Sequence, residues 1–122
     1  MASRNYKKEC SPEADIAPAS QTHTHEFLGS TEIDGPTPQL QHNHRFAGVT
    51  SSVIPVGNSH VHTLLTNTDF FLNHFHMVGD TTGLAVEVDG GKHVHFVCGT
   101  TTLEVAHTHD FQFATLIEDP LT

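Results

Sequence analysis

HVHFVCGTT, residues 93–101, decides the fold. His93, His95, Val97 and Thr101 hold its first, third, fifth and ninth places, all of one parity. A period of two puts side chains on one face of a β-strand, whereas a helix would set the two histidines about 200° apart. The same frame recurs as HTHEFLGST (23–31), HNHRFAGVT (42–50), HVHTLLTNT (60–68), HFHMVGDTT (74–82) and HTHDFQFAT (107–115). The fifth place is always apolar: Phe27, Phe46, Leu64, Val78, Val97 or Phe111. The ninth is always threonine: Thr31, Thr50, Thr68, Thr82, Thr101 or Thr115. Short, nearly regular spacings of this kind mark a repeated supersecondary unit.

Working outward, Val53–Val56 and Leu84–Val88 are further strand candidates. Each runs into a turn, Gly57-Asn58-Ser59 or Asp89-Gly90-Gly91, and then into an H-x-H segment, which predicts hairpins. Even-numbered places are polar in the first, second and last units, as in Thr24, Glu26, Asn43, Arg45, Thr108 and Asp110. They are apolar around Phe75 and Met77 and around Val94, Phe96 and Cys98, so those two strands are expected to be buried on both faces. No segment carries a helical stripe. The expected fold is all-β, a compact barrel or two-layer sandwich with the histidine face inward. Residues 1–21 read as an extended arm, 22–118 as the His-rich β domain and 119–122 as a tail.

The chain has 122 residues, enough for one core. Hydrophobic residues are 36%, below the usual share of about 45–50%, so that core is small. No apolar run reaches the roughly 20 residues of a membrane helix, and Met1–Cys10 shows no secretory h-region. A cytoplasmic protein, or a leaderless one on a cell or spore surface, is expected. The net charge of −9 argues against a nucleic-acid backbone as partner. Three of the five basic residues, Arg4, Lys7 and Lys8, lie in the arm, leaving an acidic body. Such an arm could dock on a neighbouring subunit, so a homo-oligomer or filament is expected, and a Cys10–Cys98 disulfide is sterically open.

All 12 histidines fall in H-x-H pairs: His23/His25, His42/His44, His60/His62, His74/His76, His93/His95 and His107/His109. Histidines at i and i+2 of a strand sit about 6.6 Å apart on one face and can converge on one ion. Neutral imidazole is a ligand for divalent Zn, Cu, Ni or Fe, so all twelve are candidate metal ligands. Two other readings remain: structural histidines bonded to threonines or carbonyls, and a proton sensor. Two pairs per ion give four nitrogens and three ions per chain; three pairs give six nitrogens and two ions. Separations of 14 residues between His60 and His74, and between His93 and His107, favour the first grouping.

A cupin-like metal enzyme is the rival class, but its pattern adds a glutamate about four places past the second histidine. Here those places hold Gly29, Gly48, Thr66, Asp80, Gly99 and Phe113, and only Asp80 is a carboxylate. A monomeric metal carrier is a further alternative. Glu26, Asp69, Asp80 and Asp110 are the carboxylates weighed as histidine partners, Glu26 and Asp110 having the wrong parity for their own strand's pair. Cys98 also has even parity, so it faces away from the histidines and reads as an inert buried thiol.

The strings HTHEFLGST, HNHRFAGVT, NTDFFLNHFH, GKHVHFV and HTHDFQFATLI, spanning roughly residues 23–117, resemble the YmaF family of small His-rich bacterial proteins. The resemblance implies a Gram-positive-type bacterial source and a repeat-built domain, brings no assigned activity, and does not extend to the arm.

Overall fold

The structure, a computed structural model, describes residues 22–118. It is all-β apart from two short 3-10 turns. Three main hairpins carry the fold. Strand β1 (Glu26–Ser30) pairs with β2 (Arg45–Val49), β5 (Thr63–Asn67) with β6 (Met77–Thr81), and β9 (Phe96–Thr100) with β10 (Asp110–Ala114). Two smaller ribbons, β3 (Ile54–Val56) with β4 (Ser59–Val61) and β7 (Val86–Val88) with β8 (Lys92–Val94), turn at the expected glycine sites.

Each main hairpin is two of the nine-residue frames run antiparallel. The true unit is therefore a pair of frames, repeated three times. Successive hairpins are stitched together by backbone bonds at both ends. Ser51 N–H donates to Thr63 O and Asp69 N–H to Arg45 O. Gly83 N–H donates to Phe96 O, Thr102 N–H to Met77 O, Leu116 N–H to Glu26 O and Glu32 N–H to Asp110 O. The last two return the third hairpin to the first, so three hairpins surround one axis. Among the described residues the sheets themselves are antiparallel pairs and none closes.

The inward parity is as expected. Phe27, Phe46, Leu64, Val78, Val97 and Phe111, one from each main strand, form the buried core, with Phe113 packed against it. In the first hairpin large residues face small ones across the ladder. Phe27 lies opposite Gly48 and Phe46 opposite Gly29; a Cβ on Gly48 would come within 2.7 Å of the Phe27 ring.

The outward parity corrects one expectation. Phe75, Met77, Phe96 and Cys98 are exposed, so among the described residues no second layer covers these strands. Three hairpins around one axis have only one inside, and the histidine frame already fills it. Cys10, the arm through residue 21 and the tail 119–122 lie outside the described residues, and with them the expected disulfide and arm docking. Among the described residues no helix is long and apolar enough to cross a membrane.

Candidate metal centres

Because the two strands of a hairpin run in opposite directions, its two H-x-H pairs begin at opposite ends. Three hairpins then put three pairs at each end. One cluster is His23, His25, His60, His62, His93 and His95; the other is His42, His44, His74, His76, His107 and His109. This corrects the grouping by twos. Pairs 14 residues apart share a hairpin and are separated by the length of its strands, about 20 Å over the six residues from His62 to Thr68.

The second histidine of each pair is the inner one. His25 is 1% exposed, and His44, His62, His76, His95 and His109 are 0%. Each is held in the same two ways. Its backbone N–H donates to the Oγ1 of the ninth-place threonine on the paired strand: His25 to Thr50, His44 to Thr31, His62 to Thr82, His76 to Thr68, His95 to Thr115 and His109 to Thr101, all at 2.9–3.1 Å. Its Nδ1 meets a backbone carbonyl just past a ninth-place threonine of a neighbouring hairpin. These are His25 to Leu116, His44 to Asp69, His62 to Ser51, His76 to Thr102, His95 to Gly83 and His109 to Glu32, at 2.7–3.1 Å.

The invariant threonine is thus neither a mere strand-end residue nor chiefly an imidazole partner. It fixes the backbone that aims the histidine. Oγ1 approaches a ring nitrogen only for Thr82 with His95 (3.4 Å) and Thr101 with His76 (3.3 Å).

The outer histidines differ between the two ends. His42, His74 and His107 are 6–7% exposed, and each directs Nδ1 to the carbonyl two residues back: Leu40 (2.7 Å), Leu72 (3.0 Å) and Val105 (3.0 Å). Local backbone brings those carbonyls into place. Leu72 and Asn73, and Val105 and Ala106, hold positive φ in tight two-residue turns before His74 and His107, a conformation unusual for leucine and an outlier for valine. In the other cluster His23, His60 and His93 are half-buried. There the Glu118 carboxylate takes the carbonyl's place on His93, with Oε2 3.1 Å from Nδ1 and Oε1 3.0 Å from the backbone N.

A carbonyl oxygen can only accept, so each Nδ1 facing one carries the proton and the Nε2 of a neutral ring is left with a bare lone pair. In the closed cluster this holds for all six rings. Yet the Nε2 atoms lie 3.1–3.3 Å apart, as in His42–His44, His44–His74, His76–His107 and His107–His42. In the open cluster His23, His25 and His60 bring Nε2 within 3.0–3.1 Å of His93 Nε2. His62 and His95 Nε2 are buried with no hydrogen-bond partner among the described residues. Lone pairs packed this way lack an electron-pair acceptor between them.

The spacing fits an octahedron. Neighbouring ligands there lie √2 bond lengths apart, so 3.0–3.3 Å corresponds to bonds of about 2.1–2.3 Å, the range of metal–imidazole bonds or slightly beyond. All six nitrogens of each cluster fall within 4.8 Å of one another, near the two bond lengths of a trans pair. Each cluster could therefore hold one metal ion.

Burial favours the neutral form of seven of these rings. Burial lowers the pKa of His25, His95 and His109 from 6.5 to about 4, against the raising effect of their carbonyl bonds. Burial likewise lowers His44, His60, His62 and His76. Of the carboxylates weighed from sequence, Asp69 reaches a ring, placing Oδ1 3.1 Å from His44 Nδ1. Asp80 and Asp110 accept from Thr81 N–H and Thr100 Oγ1 instead. Glu118 stands outside every nine-residue frame, and only the fold carries it back to His93.

No curated protein and no solved structure matches the chain. A family model described as spore germination protein GerY/YamF matches residues 20–117, nearly the whole of the repeat and both clusters, and the chain belongs to this YmaF family.

Proposed function

We propose that the protein is a non-enzymatic metalloprotein that binds two divalent transition ions, one in each six-histidine cluster, and uses them to lock its fold. The supporting observation is the convergence of six Nε2 atoms with octahedral spacing. Six imidazoles in an octahedron suit Ni(II), Co(II) or Fe(II) better than tetrahedral Zn(II) or tetragonal Cu(II). A filled set of six leaves no position for a substrate, which favours a structural role over the cupin-like enzyme or a carrier that must release its cargo from both sites.

The lock has work to do in this chain. Among the described residues its hydrophobic core is six side chains, and metal bonding replaces the stability that a small apolar core lacks. Within a family named for spore germination, a fold held by buried ions is suited to surviving dormancy and heat. Self-assembly is the second reading, favoured by outward-facing Leu28, Leu65 and Phe96, each more than half exposed; light scattering on the full chain tests it.

Elemental analysis of protein purified without a His-tag or nickel column tests the main reading. About two ions per chain is the expected result. One ion with an exchangeable water would revive the enzyme, and none under metal-replete conditions would leave the histidines structural.

A further inference from the structure

The two centres share a donor set but differ in their outer faces. In the closed cluster His42, His74 and His107 are buried, and each Nδ1 is tied to a carbonyl of its own turn. Phe71 adds cover, its ring centroid 5.9 Å from that of His42 and 6.5 Å from that of His44. In the open cluster His23, His60 and His93 are half-buried, and among the described residues no acceptor meets His60 Nδ1. His93 is the hub of that face, with Nε2 at 3.0–3.1 Å from the Nε2 of His23, His25 and His60. Its tether is Glu118, which grips both the ring and the backbone N–H.

Resting on the two-ion reading above, we propose that the open cluster is an exchangeable site for a divalent transition ion, the closed cluster a permanent one, and Glu118 the positioning residue that latches the exchangeable ion through His93. An ion leaves an octahedral site when one ligand swings away and water or a competing ligand enters. In the closed cluster an outer ring must first break its bond to a backbone carbonyl held by a tight turn. In the open cluster the corresponding step at His93 is loss of one side-chain carboxylate. Carboxylate partners of metal-bound imidazoles orient the ring and raise its basicity, and their removal typically weakens metal binding about 10–100-fold. The carboxylate also offsets part of the ion's charge. In the closed cluster Asp69 plays no such exclusive part, because His44 Nδ1 has the Asp69 carbonyl as well as the carboxylate.

The test uses the full chain loaded with Ni(II) or Co(II) and challenged with excess EDTA at pH 7.5, with release followed by absorbance and by elemental analysis of the protein fraction. Two phases of one ion each are expected, the slow one at least tenfold slower. Glu118→Gln should speed the fast phase about 10–100-fold and leave the slow phase unchanged. Gln keeps the size and an acceptor but loses the charge, so the variant should fold. His60→Ala, which removes an outer ligand of the same cluster, should also speed the fast phase alone. Equal release rates, a Glu118→Gln effect on the slow phase, or no effect on either would overturn the proposal. Binding of fewer than two ions before EDTA is added would instead reject the two-ion reading itself.

Discussion

At one end of the molecule His74 and His107 follow turns in which leucine and valine accept left-handed backbone; at the other His60 and His93 follow longer ribbons that turn on Gly57, Gly90 and Gly91. The first arrangement presses a carbonyl onto each outer imidazole and leaves it 6–7% exposed. The second relaxes the turn with glycine, leaves the outer rings half-buried and hands His93 to a side-chain carboxylate. The inner rings are treated alike at both ends, each with a threonine on its backbone and a carbonyl on its Nδ1. Identical donor sets can therefore be built for different tasks by the turn that delivers one ligand. Strained backbone persists where its surroundings over-determine it, and here the surroundings are a ring of ligands.

The largest expected effect comes from the inner histidines. His109→Ala removes a fully buried ligand from the closed cluster and should lower stability by roughly 3 kcal/mol or more, a fall in Tm of over ten degrees. His60→Ala, at the half-buried outer face, should lower it by about half as much. Thermal melts of the two variants in metal-replete buffer check this, and equal losses would erase the distinction between inner and outer ligands.

Protonation acts on both ends at once. His25 and His95 of the open cluster and His109 of the closed one titrate near 4 when folded, against about 6.5 in an unfolded chain. Between those values the unfolded state binds more protons. The stability these rings contribute is therefore complete above about pH 6.5, shrinks as the pH falls through that window, and is gone below about 4. Metal-free protein should melt at clearly lower temperature at pH 5 than at pH 7.5; bound metal adds to the slope, because protons compete for the same nitrogens. A flat profile would mean the rings are not held neutral.

Much of this was legible in the sequence. The parity of the nine-residue frame gave strands, an inward histidine face and the six core positions. The grouping of ligands was not legible, because spacing along the chain measures proximity only if strand direction is known. His60 and His74 are near in sequence and lie at opposite ends of one antiparallel hairpin. The apolar outer places around Phe75, Met77 and Phe96 suggested a second layer, but hydrophobicity alone does not say what covers a face. The threonine was visible as a repeat and its task was hidden, since its partner stands on the other strand.

That shared task sharpens the comparison. Thr50→Val at the open end and Thr101→Val at the closed end each remove the acceptor from a buried histidine N–H, His25 in one case and His109 in the other. Each should cost about 1–2 kcal/mol in chemical denaturation, and the two should agree within about 0.5 kcal/mol. A much larger loss at Thr101 would place the difference between the ends in the backbone rather than in the outer rings. The smallest effect concerns the strained turn. Val105 is 57% exposed at φ 49°, so Val105→Asn relieves the β-branched residue and loses little packing. It should raise stability by up to about 1 kcal/mol, read as a few degrees in Tm.

X-ray absorption at the metal edge of nickel-loaded protein tests the central claim most directly. The expected result, at two ions per chain, is a single shell of six nitrogen scatterers at about 2.1–2.2 Å with the outer-shell pattern of imidazole rings. A shell of four nitrogens, or nitrogens completed by water oxygens, would contradict it.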